Sequence, residues 1–215
     1  MNVFILAAGK AARFDGIVKQ LLPIGETTII ERTIDQLLSR GIQPTIVCPE
    51  LIVNRPLPYI RQRGHWITET VLKTRKVWNL VSIFLLGDVI YSNEALEKIL
   101  YYDHIEPFHF FGTVNEIFGF SLTRHQNQGL IETAFRTIIT HAERNPDLPG
   151  IGKLWALYNC VDRRPFLRPA THFDKRLFTF IHDYTTDIDT PEQYAAFLVR
   201  VVEPGILEPV EVASR

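Results

Sequence analysis

Three stretches in the first half of the chain, at 3–6 (VFIL), 43–49 (QPTIVCP) and 81–88 (VSIFLLGD), are apolar at successive positions rather than at alternate ones. A strand with one face in water alternates, whereas a strand apolar on consecutive residues is covered on both faces. Amphipathic segments lie between these runs. Over 29–40, Ile30, Ile34, Leu37 and Leu38 share one helical face, while Glu31, Asp35 and Arg40 point away. Segments 69–80 and 92–102 also read as helices. Strand and helix therefore alternate. This predicts right-handed crossover units and a three-layer α/β/α domain on a mainly parallel, Rossmann-like mixed sheet.

Local signals set the boundaries. Thr28 with Glu31 has capping-box spacing, and Gly41 stands where a helix ends in left-handed backbone. Pro44 suits a strand end, because it has no N–H for a ladder. Ser92 or Asn93 opens the next helix. Pro49, Pro56 and Pro58 mark 49–63 as an irregular surface segment, and 65–68 (HWIT) reads as a short strand. In the second half, 108–114 and 117–123 are aromatic-rich strand candidates and 130–144 is an amphipathic helix. Segments 153–161 (KLWALYNCV) and 177–183 (LFTFIHD) read as strands. The last element opens at 187 (DIDTPEQYAAF), where Thr190, Pro191 and Gln193 spell a helix start.

Composition narrows the functional classes. The 215 residues carry a formal net charge of -1, which argues against a nucleic-acid partner, since that needs a basic footprint. No apolar run approaches about 18 residues, so no membrane span is expected. The N-terminus lacks a basic segment and a long apolar run, so a cytoplasmic chain is expected. Cys48 and Cys160 are far apart and read as reduced thiols. The seven His residues show no zinc spacing, and no G-x-S-x-G or Cys-His pairing points to a nucleophile. Composition leaves the oligomeric state open.

The loop after the first strand, ILAAGKAARFDGIVKQLLPIGE (5–26), carries the chemistry. In open parallel sheets ligands sit beyond the carboxyl ends of the strands, where this loop lies. Small residues there let backbone N–H groups approach a phosphate. The loop lacks the spacing of a P-loop and of the dinucleotide-binding G-x-G-x-x-G. It resembles instead the signature of nucleotidyltransferases with a GT-A-like fold, roughly L-A-A-G-x-G-x-R followed by a Lys. Gly9, Arg13 and Lys19 fill the matching places, and Ala11 replaces the second Gly. Two further segments resemble the same family: the strand ending in Gly87-Asp88, and Asp187-Ile188-Asp189-Thr190-Pro191-Glu192 near the end.

The resemblance implies an NTP and a phosphorylated small-molecule acceptor as substrates, release of pyrophosphate, and Mg²⁺ as cofactor. It implies that Leu6, Ala7, Ala8, Gly9, Lys10, Ala11, Arg13, Lys19, Thr70 and Gly87 bind the nucleotide. Lys19 would face the charge developing on the α-phosphate and Arg13 the leaving pyrophosphate. Asp88 and Asp189 would hold the metal, with Asp187 supporting them. Glu116 and Lys153 are acceptor candidates, with Trp155 as wall or core. The expected organisation is one domain, 1–215. Its nucleotide-binding half is 1–105, its acceptor and metal half 106–202, and its peripheral tail 203–215. Two other readings stay open: a glycosyltransferase using a nucleotide sugar on the same fold, and a non-catalytic nucleotide-binding module.

Overall fold

The structure is a computed structural model and describes residues 1–8, 14, 16–62, 64, 66–124, 127–147, 153–162, 173–202 and 205–207. Its strands are β1 (Asn2–Leu6), β2 (Pro23–Ile24), β3 (Thr27–Thr28), β4 (Thr45–Cys48), β5 (Tyr59–Arg61), β6 (Val81–Leu86), β7 (Val89–Ile90), β8 (Phe108–Gly112), β9 (Ile117–Thr123), β10 (Phe178–Phe180) and β11 (Thr186–Asp187). Its α-helices are α1 (Ile29–Leu38), α2 (Ile67–Lys73), α3 (Asn93–Leu100), α4 (Gln128–Arg144), α5 (Leu154–Val161) and α6 (Pro191–Phe197). The main sheet has seven strands in the order β10-β8-β9-β6-β1-β4-β5. Strand β9 runs antiparallel to β6 and β8, and the other pairings are parallel. The sheet is thus mainly parallel and mixed, as expected.

Consecutive apolar residues do cover both faces. Phe4 and Leu6 of β1 and Phe84 of β6 join a core with residues of α2, α4 and α5. Val3, Ile5, Ile83 and Leu85 join a second core, against residues of α1 and α3. The three layers follow from that division. A third, smaller core holds Phe14, Leu22, Ile24, Ile29, Ile90, Ile188 and Phe197. It ties the segment after β1 to the two-stranded ribbon β7–β11 and to α6.

Most helix signals act as read. The Thr28 hydroxyl accepts from the Glu31 N–H at 3.3 Å and donates to the Glu31 carboxylate at 2.8 Å, so the side-chain half of the box closes on the hydroxyl. Gly41 takes φ 71° after α1, the left-handed value expected there. Ser92 caps α3 by accepting from Ala95 N–H, and Thr190 with Gln193 forms a full capping box on α6. Both cysteines are free thiols.

Three sequence readings are corrected. Segment 49–63 contains an edge strand, β5, paired in parallel with β4. The described part of HWIT, 66–68, is no strand: Trp66 precedes α2, which then ends at Lys73 and gives way to a 3₁₀ turn at Arg75–Val77. KLWALYNCV is helix α5, buried at Leu154 and from Ala156 to Asn159. Short apolar runs suit a buried strand or a buried helix equally well, and α5 is packed on α4. Among the described residues no helix is long and apolar enough to cross a membrane. Most of the expected tail, at 203–204 and 208–215, lies outside the described residues.

Candidate active site

The parallel register pairs Leu6 with Leu86, so β1 and β6 end side by side at the carboxyl edge of the sheet. The Gly87 N–H donates to Leu6 O at 2.9 Å. A Cβ on residue 87 would lie 2.9 Å from that same carbonyl oxygen and 3.2 Å from Ala7 Cβ. Glycine is therefore what lets the two strand ends meet. Tyr91, fully buried, accepts from Leu86 N–H at 2.9 Å and donates to Phe118 O at 2.6 Å, which braces the turn that carries Asp88.

The ribbon brings the distant acids to this turn. Asp187 stands opposite Val89, and the Ile188 N–H donates to Asp88 O at 3.2 Å. Ile188 is buried in the third core with Phe14 and Leu22, which bracket Lys19 in sequence. The same core therefore aligns Lys19 with the acids. Its ammonium lies 2.7 Å from Asp88 Oδ2, 3.2 Å from Asp189 Oδ1 and 4.0 Å from Asp187 Oδ1, and donates to Ile188 O at 2.8 Å.

Proton affinities follow from this crowding. Burial, then the neighbouring Asp88, pushes the Asp187 carboxyl up to about 8, with Lys19 pulling the other way. For Lys19, burial lowers the value, but Asp88 and the other two acids outweigh it, so the ammonium is held above its ordinary range. Glu116 is raised by burial, although the Asp187 N–H donates to it, and Asp189 adds to the rise.

Hard carboxylate oxygens in this number suit Mg²⁺ rather than a soft metal. Asp187 Oδ1 is buried with no hydrogen-bond partner, so one ammonium does not satisfy the acids. The donor set thus fits a small divalent cation. Among the described residues, though, no three His, Cys, Asp or Glu side chains form a ready cage, because Lys19 stands between the acids. A site of this kind needs further oxygens, which substrate phosphates supply.

Two clefts meet at the acids. The narrower, about 290 Å³, is lined by Leu6, Ala8, Gln20, Gly64, Thr70 and Asp88 among others. The wider, about 540 Å³, is lined by Asn115, Glu116, Lys153, Trp155 and Asp189 among others. Trp66, Ile67, Leu86 and Asp187 border both. Ala7, between the lining residues Leu6 and Ala8, is buried, and its N–H donates to Val47 O at 2.8 Å. Thr70 is buried, and its hydroxyl donates to Trp66 O at 3.1 Å. Lys153 is exposed at the start of α5, and Trp155 donates to Asn115 O at 3.2 Å. Glu116 sits at the same sheet edge, in a turn held by Thr113, whose hydroxyl accepts from Glu116 N–H at 3.1 Å. Gly9, Lys10, Ala11 and Arg13 lie outside the described residues.

Gln20, Trp66 and Asn115 escaped the sequence reading. Gln20 stands between Lys19 and the apolar pair Leu21-Leu22, and it is 3% exposed. That position was the one available signal. Trp66 was hidden by assigning its segment to a strand.

The fold and the two-cleft edge define a class by architecture: a mainly parallel α/β domain with a mixed seven-stranded sheet. Residues 3–71 match the family model of the MobA-like NTP transferase domain. A candidate glucose-1-phosphate thymidylyltransferase from Bacillus anthracis is 15% identical, with TM-score 0.59 over 93% of this chain and 95% of that one. A CMP:2-keto-3-deoxy-manno-octonic acid synthetase complexed with CTP is 14% identical, with TM-score 0.58 over 96% and 99%. The inositol-1-phosphate CTP transferase from T. maritima is 10% identical, with TM-score 0.57 over 89% and 90%. Likeness at this identity establishes the fold. No curated protein sequence matches the chain. The family match covers the loop on which the resemblance was read, and the architecture agrees with the fold that the resemblance implies.

Proposed function

We propose that the chain is an Mg²⁺-dependent nucleotidyltransferase that joins an NTP to a phosphorylated small-molecule acceptor, such as a sugar phosphate, and releases pyrophosphate. The observation that carries this reading is the convergence of Lys19, Asp88, Asp187 and Asp189 where the two clefts meet. The names of the similar structures, which include nucleotide transferases acting on sugar or inositol phosphates, support it.

In this reading the nucleoside lies in the narrower cleft, walled by Trp66, with Thr70 beneath it. The acceptor lies in the wider cleft, between Trp155, Lys153 and Glu116. The α-phosphorus then falls at the junction. An acceptor phosphate oxygen attacks it in line, the bond to the bridging α–β oxygen breaks, and pyrophosphate leaves with the electron pair. The attacking oxygen is already ionised, so no general base is needed. Lys19 leaves the acids to meet the charge that grows on the α-phosphate, and Arg13 faces the leaving group. Asp88 and Asp189 hold Mg²⁺, which neutralises phosphate charge when bound. The protein works through positioning and preset charge.

The test is a panel of NTPs against phosphorylated acceptors, read as pyrophosphate release. Acceptor-dependent release supports the proposal. Turnover of a nucleotide sugar without pyrophosphate would favour the glycosyltransferase, and binding without turnover the non-catalytic module.

A further inference from the structure

We infer that Lys19 is an internal cation that occupies the metal's carboxylates in the free chain and yields them only when a nucleotide draws its ammonium away. This rests on the nucleotidyltransferase reading above.

An ammonium has three N–H donors. Lys19 finds three close acceptors for them: Asp88 Oδ2 at 2.7 Å, Ile188 O at 2.8 Å and Asp189 Oδ1 at 3.2 Å. Its donors are spent, and its side chain is 12% exposed, so little water competes. The acids it uses are the two assigned to the metal. An ammonium and a divalent cation cannot share those oxygens, because both need the same space and repel each other. The buried Oδ1 of Asp187, 4.0 Å from the ammonium and without a hydrogen-bond partner, shows that the plug is incomplete. One positive charge stands among three acids, a set that a dication suits better.

Release requires only the side chain. The backbone at Lys19 is fixed, with its carbonyl accepting from Leu22 N–H at 3.1 Å, while the four-carbon stem can swing. Asp88 borders the narrower cleft, so a triphosphate there presents anions to the ammonium at short range. The lysine moves onto phosphate, the carboxylates open, and metal and nucleotide each strengthen the other's binding. If the closed arrangement exceeds the open one by about ten to one, it weakens metal binding to the free chain about tenfold.

The experiment is Mn²⁺ binding to the full chain without nucleotide, followed by calorimetry and by the electron paramagnetic resonance of free Mn²⁺. Lys19→Met should bind Mn²⁺ about tenfold or more tightly than wild type. Equal or weaker binding by Lys19→Met overturns the inference. If that variant is too unstable to purify, Lys19→Met/Asp187→Asn removes one acid with the cation and is compared with Asp187→Asn alone. Tighter binding by the double variant supports the inference, and equal binding overturns it. A separate arm titrates a non-hydrolysable Mn²⁺–nucleotide complex into wild type. Failure there, alongside a Lys19 effect on Mn²⁺ alone, sinks the nucleotidyltransferase reading and leaves the lysine's competition standing.

Discussion

Lys19 Nζ stands 3.2 Å from Asp189 Oδ1 across 170 residues of chain. The third core makes that contact possible, because it packs Phe14 and Leu22 with Ile188 and Phe197. The two ends of the sequence are thereby fixed to the turn after β6, where the charges meet.

Removing the ammonium separates the catalytic role proposed for Lys19 from nucleotide binding. Lys19→Ala should lower kcat by roughly 10²–10³, the scale of losing one preorganised donor. Nucleotide affinity should fall much less, since other groups still hold the triphosphate. Steady-state kinetics with a direct nucleotide-binding measurement checks this; an unchanged kcat contradicts it.

Gly87→Ala tests the close approach of β1 and β6. The new methyl would lie 2.9 Å from Leu6 O, so the strand ends must part. A destabilisation of about 1–3 kcal/mol is expected, read as a lower urea midpoint, together with lost activity from a displaced Asp88. A variant as stable as wild type would show that the edge can adjust freely.

Much of this arrangement was legible in the sequence, for physical reasons. Strands buried on both faces must be apolar throughout, so β1, β4 and β6 announced themselves. The capping chemistry of Thr28, Ser92 and Thr190 is local, so it survived into the fold. Strand β5 was not legible: its three residues follow Pro58 at a sheet edge, and its identity comes from pairing with β4. Helix α5 was misread because Leu154, Ala156, Leu157 and Tyr158 are all buried, which erases the helical period. The position of Lys19 among the acids was also hidden. Sequence could assign it to phosphate, but Asp88 and Asp189, within 3.2 Å of its ammonium, are brought there from far along the chain by the fold.

Trp66 borders both clefts, so Trp66→Ala should raise KM for nucleotide and acceptor together, by about tenfold each. A rise confined to one substrate would assign the indole to that cleft alone.

His109 should make one part of the fold's stability sensitive to acid. Its Nδ1 lies 2.9 Å from Arg176 O, which can only accept, so Nδ1 carries the proton and Nε2 accepts from the Thr179 hydroxyl. Burial lowers its pKa from 6.5 to about 4. Between those values the unfolded chain binds the proton and the folded chain does not, so stability falls as pH drops from 6.5 towards 4. The loss is at most about 3 kcal/mol. Urea unfolding of wild type and His109→Gln from pH 7 to 4 should show that slope in the difference between the two, because the raised Asp187 carboxyl takes up its proton in the folded chain and acts with the opposite sign in both proteins. A difference that does not change with pH would contradict the role given to His109.

Pyrophosphate release measured against Mg²⁺ concentration, for wild type, Asp189→Asn and Lys19→Ala, tests the central claim most directly. Asp189→Asn keeps the shape but removes a charge from the proposed hard-cation site. Its activity should be shifted to higher Mg²⁺ and be partly rescued there, whereas Lys19→Ala should stay low at every concentration. Equal, metal-insensitive activity in all three proteins would contradict the assignment of this cluster to metal-assisted nucleotidyl transfer.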